Sequence, residues 1–375
     1  MRIDLVETFV AVNWLFVRVT TDTGLSGVGE STFFGWPGAV REVVHSFEGY
    51  LKGKDPLDVE HHWLYMFRSR AMRGGAIGGA ISAIDQALWD IRGKHFSAPV
   101  WQLLGGKVRD RVRAMLVLQT GTSDEVAAEA AQAARDGYTA VKALLYQEEH
   151  HTMRHGRRIQ DLTGRMAAIR ESVGWDVDIG VEIHRNMSVG DSIVLAHELE
   201  KFRPLFLEDP VPPDSVLSFG EVSEKSRLPM AAGERNLNIW EFREYVEHAG
   251  VHYIRPDVGV AGGITHVKKI CALAEAHHQG IIPHAVPSGP VATAAHIQLG
   301  VNVPNWEVQE HRPQEGPPWS DVVNSVPVLK QGYFTVPDQP GLGGIALNDE
   351  GLRKHPPAEP SHNTSRREDG SVAMR

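Results

Sequence analysis

From about residue 114 onward, eight short apolar runs alternate with helix-like segments, and this alternation restricts the possible folds more than any other feature of the chain. The runs are RAMLVL, AVKALLY, DIGVEI, PLFLED, LPMAAGE, VHYIRPD, QGIIPH and PNWEVQE. Strands that alternate with helices indicate a parallel sheet, and eight such units over roughly 200 residues predict a closed TIM-type (β/α) barrel over residues 114–330. An open doubly wound sheet is the alternative, but its Gly-rich phosphate turn has no match in the glycine pairs of this chain.

The segments that flank the predicted barrel have a different character. Residues 1–30 carry strand-like runs around a Gly-containing turn, and residues 39–112 are helical in pattern, most clearly in AIGGAISAIDQALWDIRGK. These features predict an α+β domain over residues 1–113. Residues 331–375 are rich in Gly and Pro and end in a polar tail. Because the barrel is already closed, we expect this segment to return to the N-terminal domain.

Composition excludes several classes of protein. The net charge of −9 argues against nucleic acid or an anionic membrane as a partner, and no apolar run approaches the length of a membrane span. Cys271 is the single cysteine, so a disulfide framework is excluded and a cytoplasmic location is expected. It lies in the helical pattern KKICALAEA and is predicted to be a buried, inert side chain.

Three glutamates close successive predicted strands at an even spacing. Glu182, Glu208 and Glu234 are separated by 26 residues each, which is one strand–helix unit. The carboxyl ends of barrel strands share one face, so the three carboxylates should meet there. Clustered anions need a cation, and carboxylate oxygens suit a hard ion. The sequence therefore predicts a metal site, with Mg²⁺ preferred over Mn²⁺ or Ca²⁺.

Further polar residues follow the next three strands at the same spacing. Asp257, His284 and Glu310 are 27 and 26 residues apart. An Asp bonded to one imidazole nitrogen fixes the tautomer of a His and raises the basicity of the other nitrogen. Asp257 and His284 are thus a candidate general-base pair. The alternative is a buried His whose ring bonds a backbone carbonyl.

The motifs EIH, LEDP, GER and RPD-VGVAGGIT, followed by a His after the seventh run, resemble the mandelate racemase subgroup of the enolase superfamily. The N-terminal GLSGVGES and LLGG segments are similar to the capping domain of that family. The resemblance implies that Mg²⁺ binds a substrate carboxylate, that a base removes the proton on the adjacent carbon, and that the metal stabilises the resulting enediolate. It also implies that Glu310 matches a glutamate of the site and takes part in catalysis.

Two positions indicate which reaction of the family to expect. Lys142 matches the first residue of the Lys-x-Lys pair of the racemases, but Leu144 stands at the second and cannot accept a proton. His184 follows Glu182 by two residues, which on a strand would place it on the same face, where it could protonate a leaving hydroxyl. This pattern resembles sugar-acid dehydratases, which convert an aldonate to a 2-keto-3-deoxy acid. Lys142 and Arg185 are predicted to bind the substrate.

Several alternatives stay open at the level of sequence. Gluconate-, galactonate- and mannonate-type substrates are all compatible with the motifs, and Tyr146 stands near the Tyr of the Tyr/Arg base used by the mannonate branch. The His- and Arg-rich segment 146–158 is either a lid or a solvated loop. A racemase, epimerase or cycloisomerase is the main rival activity, ahead of a metal-dependent hydrolase and a binding protein on a degenerate barrel. A homo-oligomer is expected.

Overall fold

The N-terminal part of the chain is a three-stranded antiparallel sheet covered by helices. The computed structural model describes residues 1–358 and 364–373. The sheet has the order β1–β2–β3. Its strands are β1 (Ile3–Ala11), β2 (Trp14–Thr21) and β3 (Ser26–Ser31), and the helices are α1 (Pro37–Leu51), α2 (Val59–Arg68), α3 (Gly75–His95) and the short α4 (Val100–Leu103).

Helix α3 packs against β3 without intervening side chains. A Cβ atom at Gly27 would lie 2.1 Å from the carbonyl oxygen of Ala87, and one at Gly29 would lie 1.9 Å from that of Ala83. Only glycine allows this approach, because real Cβ contacts are never so short. The glycines of GLSGVGES therefore fix the position of the long helix on the sheet.

The second part of the chain is a parallel barrel. Its strands are β4 (Arg111–Val117), β5 (Ala140–Leu144), β6 (Asp178–Glu182), β7 (Phe206–Glu208), β8 (Met230–Ala232), β9 (Tyr253–Ile254), β10 (Gly280–Ile281) and β11 (Gln309–His311). Consecutive strands pair from β4 to β10, and β11 pairs with β4. A parallel bridge between Ile281 and Trp306 joins β10 to the segment before β11 and closes the ring. The predicted barrel is confirmed, and the open doubly wound sheet is excluded.

Amphipathic helices cover the barrel. They are α5 (Ser123–Arg135), α6 (His155–Val173), α7 (Val189–Leu199), α8 (Val216–Lys225), α9 (Ile239–His248), α10 (Gly263–Ala276) and α11 (Pro290–Asn302). Several begin at a side-chain cap: the Thr122 hydroxyl accepts from the backbone N–H of Glu125 in a capping box, and Ser188 and Asn238 cap α7 and α9. Among the described residues, no helix is long and apolar enough to cross a membrane.

The C-terminal segment contacts both parts. It contains α12 (Trp319–Val322), β12 (Leu329–Lys330), β13 (Tyr333–Thr335), α13 (Pro340–Gly343) and α14 (Asp349–Lys354). Strand β13 pairs antiparallel with barrel strand β4. Beyond it the chain reaches the N-terminal domain, where the N–H of Leu342 donates to Asp90 and Val12 forms a bridge with Pro357. Of the predicted returning segment, residues 359–363 and 374–375 lie outside the described residues.

Buried polar contacts join the N-terminal domain to the carboxyl end of the barrel. The carboxylate of Glu30 accepts hydrogen bonds from the backbone N–H groups of Gly289, Val291 and Ala292 at the start of α11. Burial raises the pKa of Glu30 to about 8, although these N–H groups oppose the shift. Asp85 caps α10 in the same manner through Thr265. The N-terminal domain is thus fixed over the barrel end where the polar residues gather.

Candidate active site

Three carboxylates from adjacent strands form the centre of the site. Glu182 and Glu208 end β6 and β7, and Glu234 follows β8 after Gly233. Each glutamate contributes one carboxylate oxygen to a cluster, and these three oxygens all lie within 4.8 Å of one another. Glu182 and Glu208 are buried, and the side chain of Glu234 is 11% exposed. Three acidic oxygens at this spacing fit a hard cation, because such ions prefer oxygen ligands and offset the repulsion between the carboxylates.

A buried network of two cations and shared carboxylates adjoins this cluster. The ammonium of Lys142 lies 3.0 Å from Glu182, 3.0 Å from Glu208 and 3.1 Å from Glu310. Arg255 pairs with Glu208 and Glu310 from the other side. Burial would raise the pKa of Glu310, but Arg255 and Lys142 lower it to about 2. The network therefore holds Glu310 ionised with both oxygens engaged.

Lys142, which is predicted to bind the substrate, lies among the carboxylates of the site. A Lys ammonium has three protons, and each faces a carboxylate in this structure. Its side chain is 3% exposed. Lys142 therefore neutralises and orients the glutamates, and its contact with a substrate stays a prediction. Glu310, predicted to take part in catalysis, pairs through its carboxylate oxygens with Lys142 and Arg255.

Arg185, the second residue predicted to bind the substrate, also pairs with carboxylates. Its guanidinium pairs with Asp209 at 3.2 Å and with Glu234, and its side chain is 2% exposed. Its backbone N–H donates to the carbonyl of Asp209, so two loops are tied together at this point. Burial and the charge of Glu234 raise the pKa of Asp209 to about 7, although Arg185 opposes the shift. Arg185 thus holds Glu234 in place, and its contact with a substrate stays a prediction.

Asp257 and His284 form the pair expected of a general base. The Nδ1 atom of His284 lies 2.7 Å from Oδ2 of Asp257, and Nε2 lies 3.8 Å from Glu234. Oδ1 of Asp257 accepts from the hydroxyl of Thr32 and from the N–H of Gly259, both at 2.7 Å. Burial would lower the pKa of His284, but Glu234 and Asp257 raise it to about 9.

His184 reaches the site by a route that the sequence pattern does not predict. Strand β6 ends at Glu182, and both His184 and Arg185 have positive φ angles, of 59° and 68°. The alternation of side chains along a strand therefore does not apply at His184. Its backbone N–H donates to Glu182 at 2.9 Å. Burial lowers the pKa of its ring, although Glu182 and Glu234 oppose the shift.

The segment 146–158 is partly anchored by its own histidines. The ring of His150 is buried, bonding Asp161 through Nε2 at 3.0 Å and the N–H of Gln147 through Nδ1. His155 pairs with Asp191 at the start of α7. These contacts give the two histidines structural partners. They place neither ring among the carboxylates of Glu182, Glu208 and Glu234.

Sequence reasoning missed three residues of the site. Arg255 directly follows the short strand β9, two residues before Asp257, and a positive charge at the end of an apolar run is a signal that could have identified it. Asp209 directly follows Glu208 in LEDP. Thr32 comes from the N-terminal domain, 225 residues away in sequence from the carboxylate that it contacts. No pattern within one element could have indicated that contact.

Comparisons with known proteins match this architecture over nearly the whole chain. Residues 5–105 match the mandelate racemase/muconate lactonizing enzyme N-terminal domain, and residues 125–350 match the enolase C-terminal domain-like family. D-galactonate dehydratases of Cronobacter sakazakii and Verminephrobacter eiseniae are 35% and 37% identical to the chain. The aligned regions cover 100% of both proteins in the first case and 93% of each in the second.

Solved structures agree with these matches. An enolase from Agrobacterium radiobacter with bound sodium and L-malate superimposes with a TM-score of 0.94 at 28% identity, covering 100% of both chains. A mandelate racemase/muconate lactonizing enzyme from Jannaschia sp. CCS1 gives a TM-score of 0.89 at 34% identity, over 96% of this chain and 98% of the other.

Proposed function

Because the chain belongs to the mandelate racemase/muconate lactonizing enzyme family of the enolase superfamily, we propose that it is a sugar-acid dehydratase acting on a galactonate-type aldonate. The curated relatives support the hydro-lyase predicted from the sequence, since the full-length matches named above are dehydratases of one aldonate. The observation that carries the proposal is the placement of one Asp–His pair and one further His around three carboxylates.

Glu182, Glu208 and Glu234 are the residues proposed to hold Mg²⁺. The donor set fits, because it consists of three carboxylate oxygens within 4.8 Å of one another. Bound there, the ion would supply a Lewis acid for the carboxylate of the substrate. Ion pairs hold these glutamates in place: Lys142 pairs with Glu182 and Glu208, and Arg185 pairs with Glu234.

His284 is the proposed base for the C2 proton. Asp257 bonds Nδ1, so Nε2 is the nitrogen free to accept a proton, and it lies on the side of Glu234. A neutral imidazole is required for this step. Leu144 lies on β5, the strand that carries Lys142, and offers no second base there.

His184 is the proposed acid that delivers a proton to the leaving 3-hydroxyl. Hydroxide is a poor leaving group, and an imidazolium is a suitable donor near neutral pH. The pKa shifts in the structure oppose both roles: the pKa of the proposed acid His184 is lowered, and that of the proposed base His284 is raised. A cation bound to Glu234 would offset the negative charge of this carboxylate and so reduce its effect on the pKa of His284. The same pKa shifts favour a second candidate, in which His184 is the base and His284 is the acid.

Solvent exchange at C2 separates these possibilities. In D₂O, His184→Asn should still exchange the C2 proton of the aldonate while its release of keto acid falls by roughly 10²- to 10⁴-fold, the usual contribution of a positioned acid. It should also still expel fluoride from a 3-fluoro analogue, which needs less help from a proton. Loss of exchange in His184→Asn with retention in His284→Asn would instead assign the base to His184.

A small sugar acid is the proposed partner, and the net charge of −9 disfavours nucleic acid. A homo-oligomer in the cytoplasm is expected. Light scattering of the purified protein would test its assembly.

A further inference from the structure

The pair Asp257–His284 receives a contact from outside the barrel. Thr32 follows strand β3 of the N-terminal domain, and its hydroxyl lies 2.7 Å from Oδ1 of Asp257. A carboxylate can only accept, so the Thr32 hydroxyl is the donor. Thr32 and Asp257 are 7% and 1% exposed, so water does not compete for this bond.

The contact fixes which oxygen of Asp257 faces His284. Oδ1 accepts from Thr32 and from the N–H of Gly259, and Oδ2 is left for the imidazole. Rotation of the carboxylate would break the two hydrogen bonds at Oδ1 as well as the one between Oδ2 and the imidazole. The Thr32 hydroxyl therefore acts on the imidazole through the orientation of Asp257.

The fit around Thr32 is close. A Cβ atom at Gly259 would lie 2.3 Å from Oγ1 of Thr32 and 2.6 Å from its backbone nitrogen. The N–H of Thr32 donates to the carbonyl of Gly259 at 3.3 Å. The loop that begins at Thr32 thus packs directly against the turn that follows Asp257.

The same stretch of chain also holds the segment that follows His284. Glu30, two residues before Thr32, accepts the N–H groups at the start of α11, and Trp14 donates to the carbonyl of Pro287 at 2.7 Å. On its other side the loop is packed against α3, where a Cβ atom at Gly75 would lie 2.0 Å from the ring of Phe33. The N-terminal domain therefore contacts the chain beside both members of the pair.

We propose that Thr32 is a positioning residue for the Asp257–His284 pair, so that the N-terminal domain sets the orientation of the base. This inference rests on the proposed function only in taking His284 as the base. It makes Thr32, on the loop that follows β3, part of the apparatus that aligns the imidazole.

Kinetics on the Mg²⁺-loaded enzyme provide the first test. Thr32→Val keeps the shape of the side chain and removes the hydroxyl. It should lower kcat for both C2 exchange and dehydration by roughly 10- to 100-fold, the usual effect of losing a hydrogen bond that orients a ligand or base, and leave KM little changed. Thr32→Ser should restore the rate. Thr8→Val makes the same change in β1 of the N-terminal domain, where the hydroxyl bonds His45, and should behave as wild type.

A spectroscopic test needs no turnover. In protein with ¹⁵N-labelled histidine and bound Mg²⁺, the proton between His284 and Asp257 should give a low-field signal, assigned by its loss in His284→Asn. The signal should shift in Thr32→Val and stay in place in Thr32→Ser and Thr8→Val. If Thr32→Val does not fold, Thr32→Ala, which needs less room, carries both readouts.

The outcomes separate this inference from the proposed function. An unshifted signal or a wild-type kcat in Thr32→Val would overturn the role of Thr32 while leaving the dehydratase intact. Equal loss in Thr32→Ser and Thr32→Val would also overturn it, because packing of the methyl group would then be the cause. A wild-type enzyme that turns over no aldonate would refute the proposed function, and the low-field signal would still decide the role of Thr32.

Discussion

At the scale of single residues, the site is a balance of charges that a bound cation would change. Three carboxylates lie within 4.8 Å of one another, and Lys142 and Arg185 each pair with members of the set. The pKa of His284 is raised mainly by Glu234 against the effect of burial. The protonation of the base should therefore depend on what else the carboxylates bind.

This dependence gives a pH prediction. In metal-free protein, NMR titration should place the pKa of His284 near 9, above the usual value of about 6.5 for histidine. Mg²⁺ should lower it, because a cation at Glu234 opposes protonation of a neighbouring imidazole. Since the neutral ring is the base, turnover should rise with pH through the pKa of the metal-bound form. A pKa that does not move while Mg²⁺ binding is detected by calorimetry would contradict the arrangement.

The Asp257–His284 pair gives a second prediction at this scale. Asp257→Asn should cost on the order of 10⁴ in kcat, by analogy with other sites in which an amide holds the imidazole in the wrong tautomer. His284→Asn should abolish C2 exchange as well as dehydration. Proton exchange is followed by NMR in D₂O, with circular dichroism to check the fold. Retained exchange in His284→Asn would show that another group is the base.

At the scale of elements, helix ends join the two parts of the chain. Three backbone N–H groups at the start of α11 donate to Glu30, which is fully buried. Glu30→Ala would leave these donors unpaired and open a cavity. Each unsatisfied buried group costs about 1–3 kcal/mol, so a loss of about 3 kcal/mol or more is expected.

Urea unfolding would measure that loss. Glu42→Ala, on the exposed face of α1, is the matched control, since its side chain is 67% exposed and its removal should change stability by no more than about 0.5 kcal/mol. Equal midpoints for the two variants would mean that Glu30 does not secure α11.

Most of the fold was predictable at this scale, and so was the placement of the carboxylates. The eight apolar runs match the barrel strands, and a spacing of 26 residues correctly brought Glu182, Glu208 and Glu234 together. The rule of alternating side chains was wrong at His184, because the strand stops at Glu182 and the backbone turns left-handed. Where a strand ends depends on pairing with its neighbours, which a single sequence does not reveal.

Roles that depend on partners were less predictable. Lys142 and Arg185 carry charges suited to an acidic substrate, but each is used internally by carboxylates from other strands. Arg255 and Thr32 join the site through contacts with residues far away in sequence. Spacing along the sequence indicates at the end of which strand a residue lies. It does not indicate how the charges of several strands are shared.

At the scale of the whole molecule, the metal should couple to the stability of the fold. The three glutamates come from different strands, so the unfolded chain has no site, and Mg²⁺ at 100 times its Kd should add about 2.7 kcal/mol. Thermal unfolding with and without Mg²⁺ would measure this. Glu208→Gln should lose most of the shift and all turnover, whereas Glu221→Gln, on the exposed side of α8, should retain both. An undiminished shift in Glu208→Gln would place the metal elsewhere.

The whole-molecule claim is that one base and one acid on this barrel remove water from an aldonate. The most direct measurement is the proton NMR spectrum of D-galactonate incubated in D₂O with the Mg²⁺-loaded protein. We expect the C2 proton signal to disappear as the signals of a 2-keto-3-deoxy acid grow in step with it. Exchange or inversion at C2 with the 3-hydroxyl retained and no keto acid formed would contradict the dehydratase and identify an epimerase in its place.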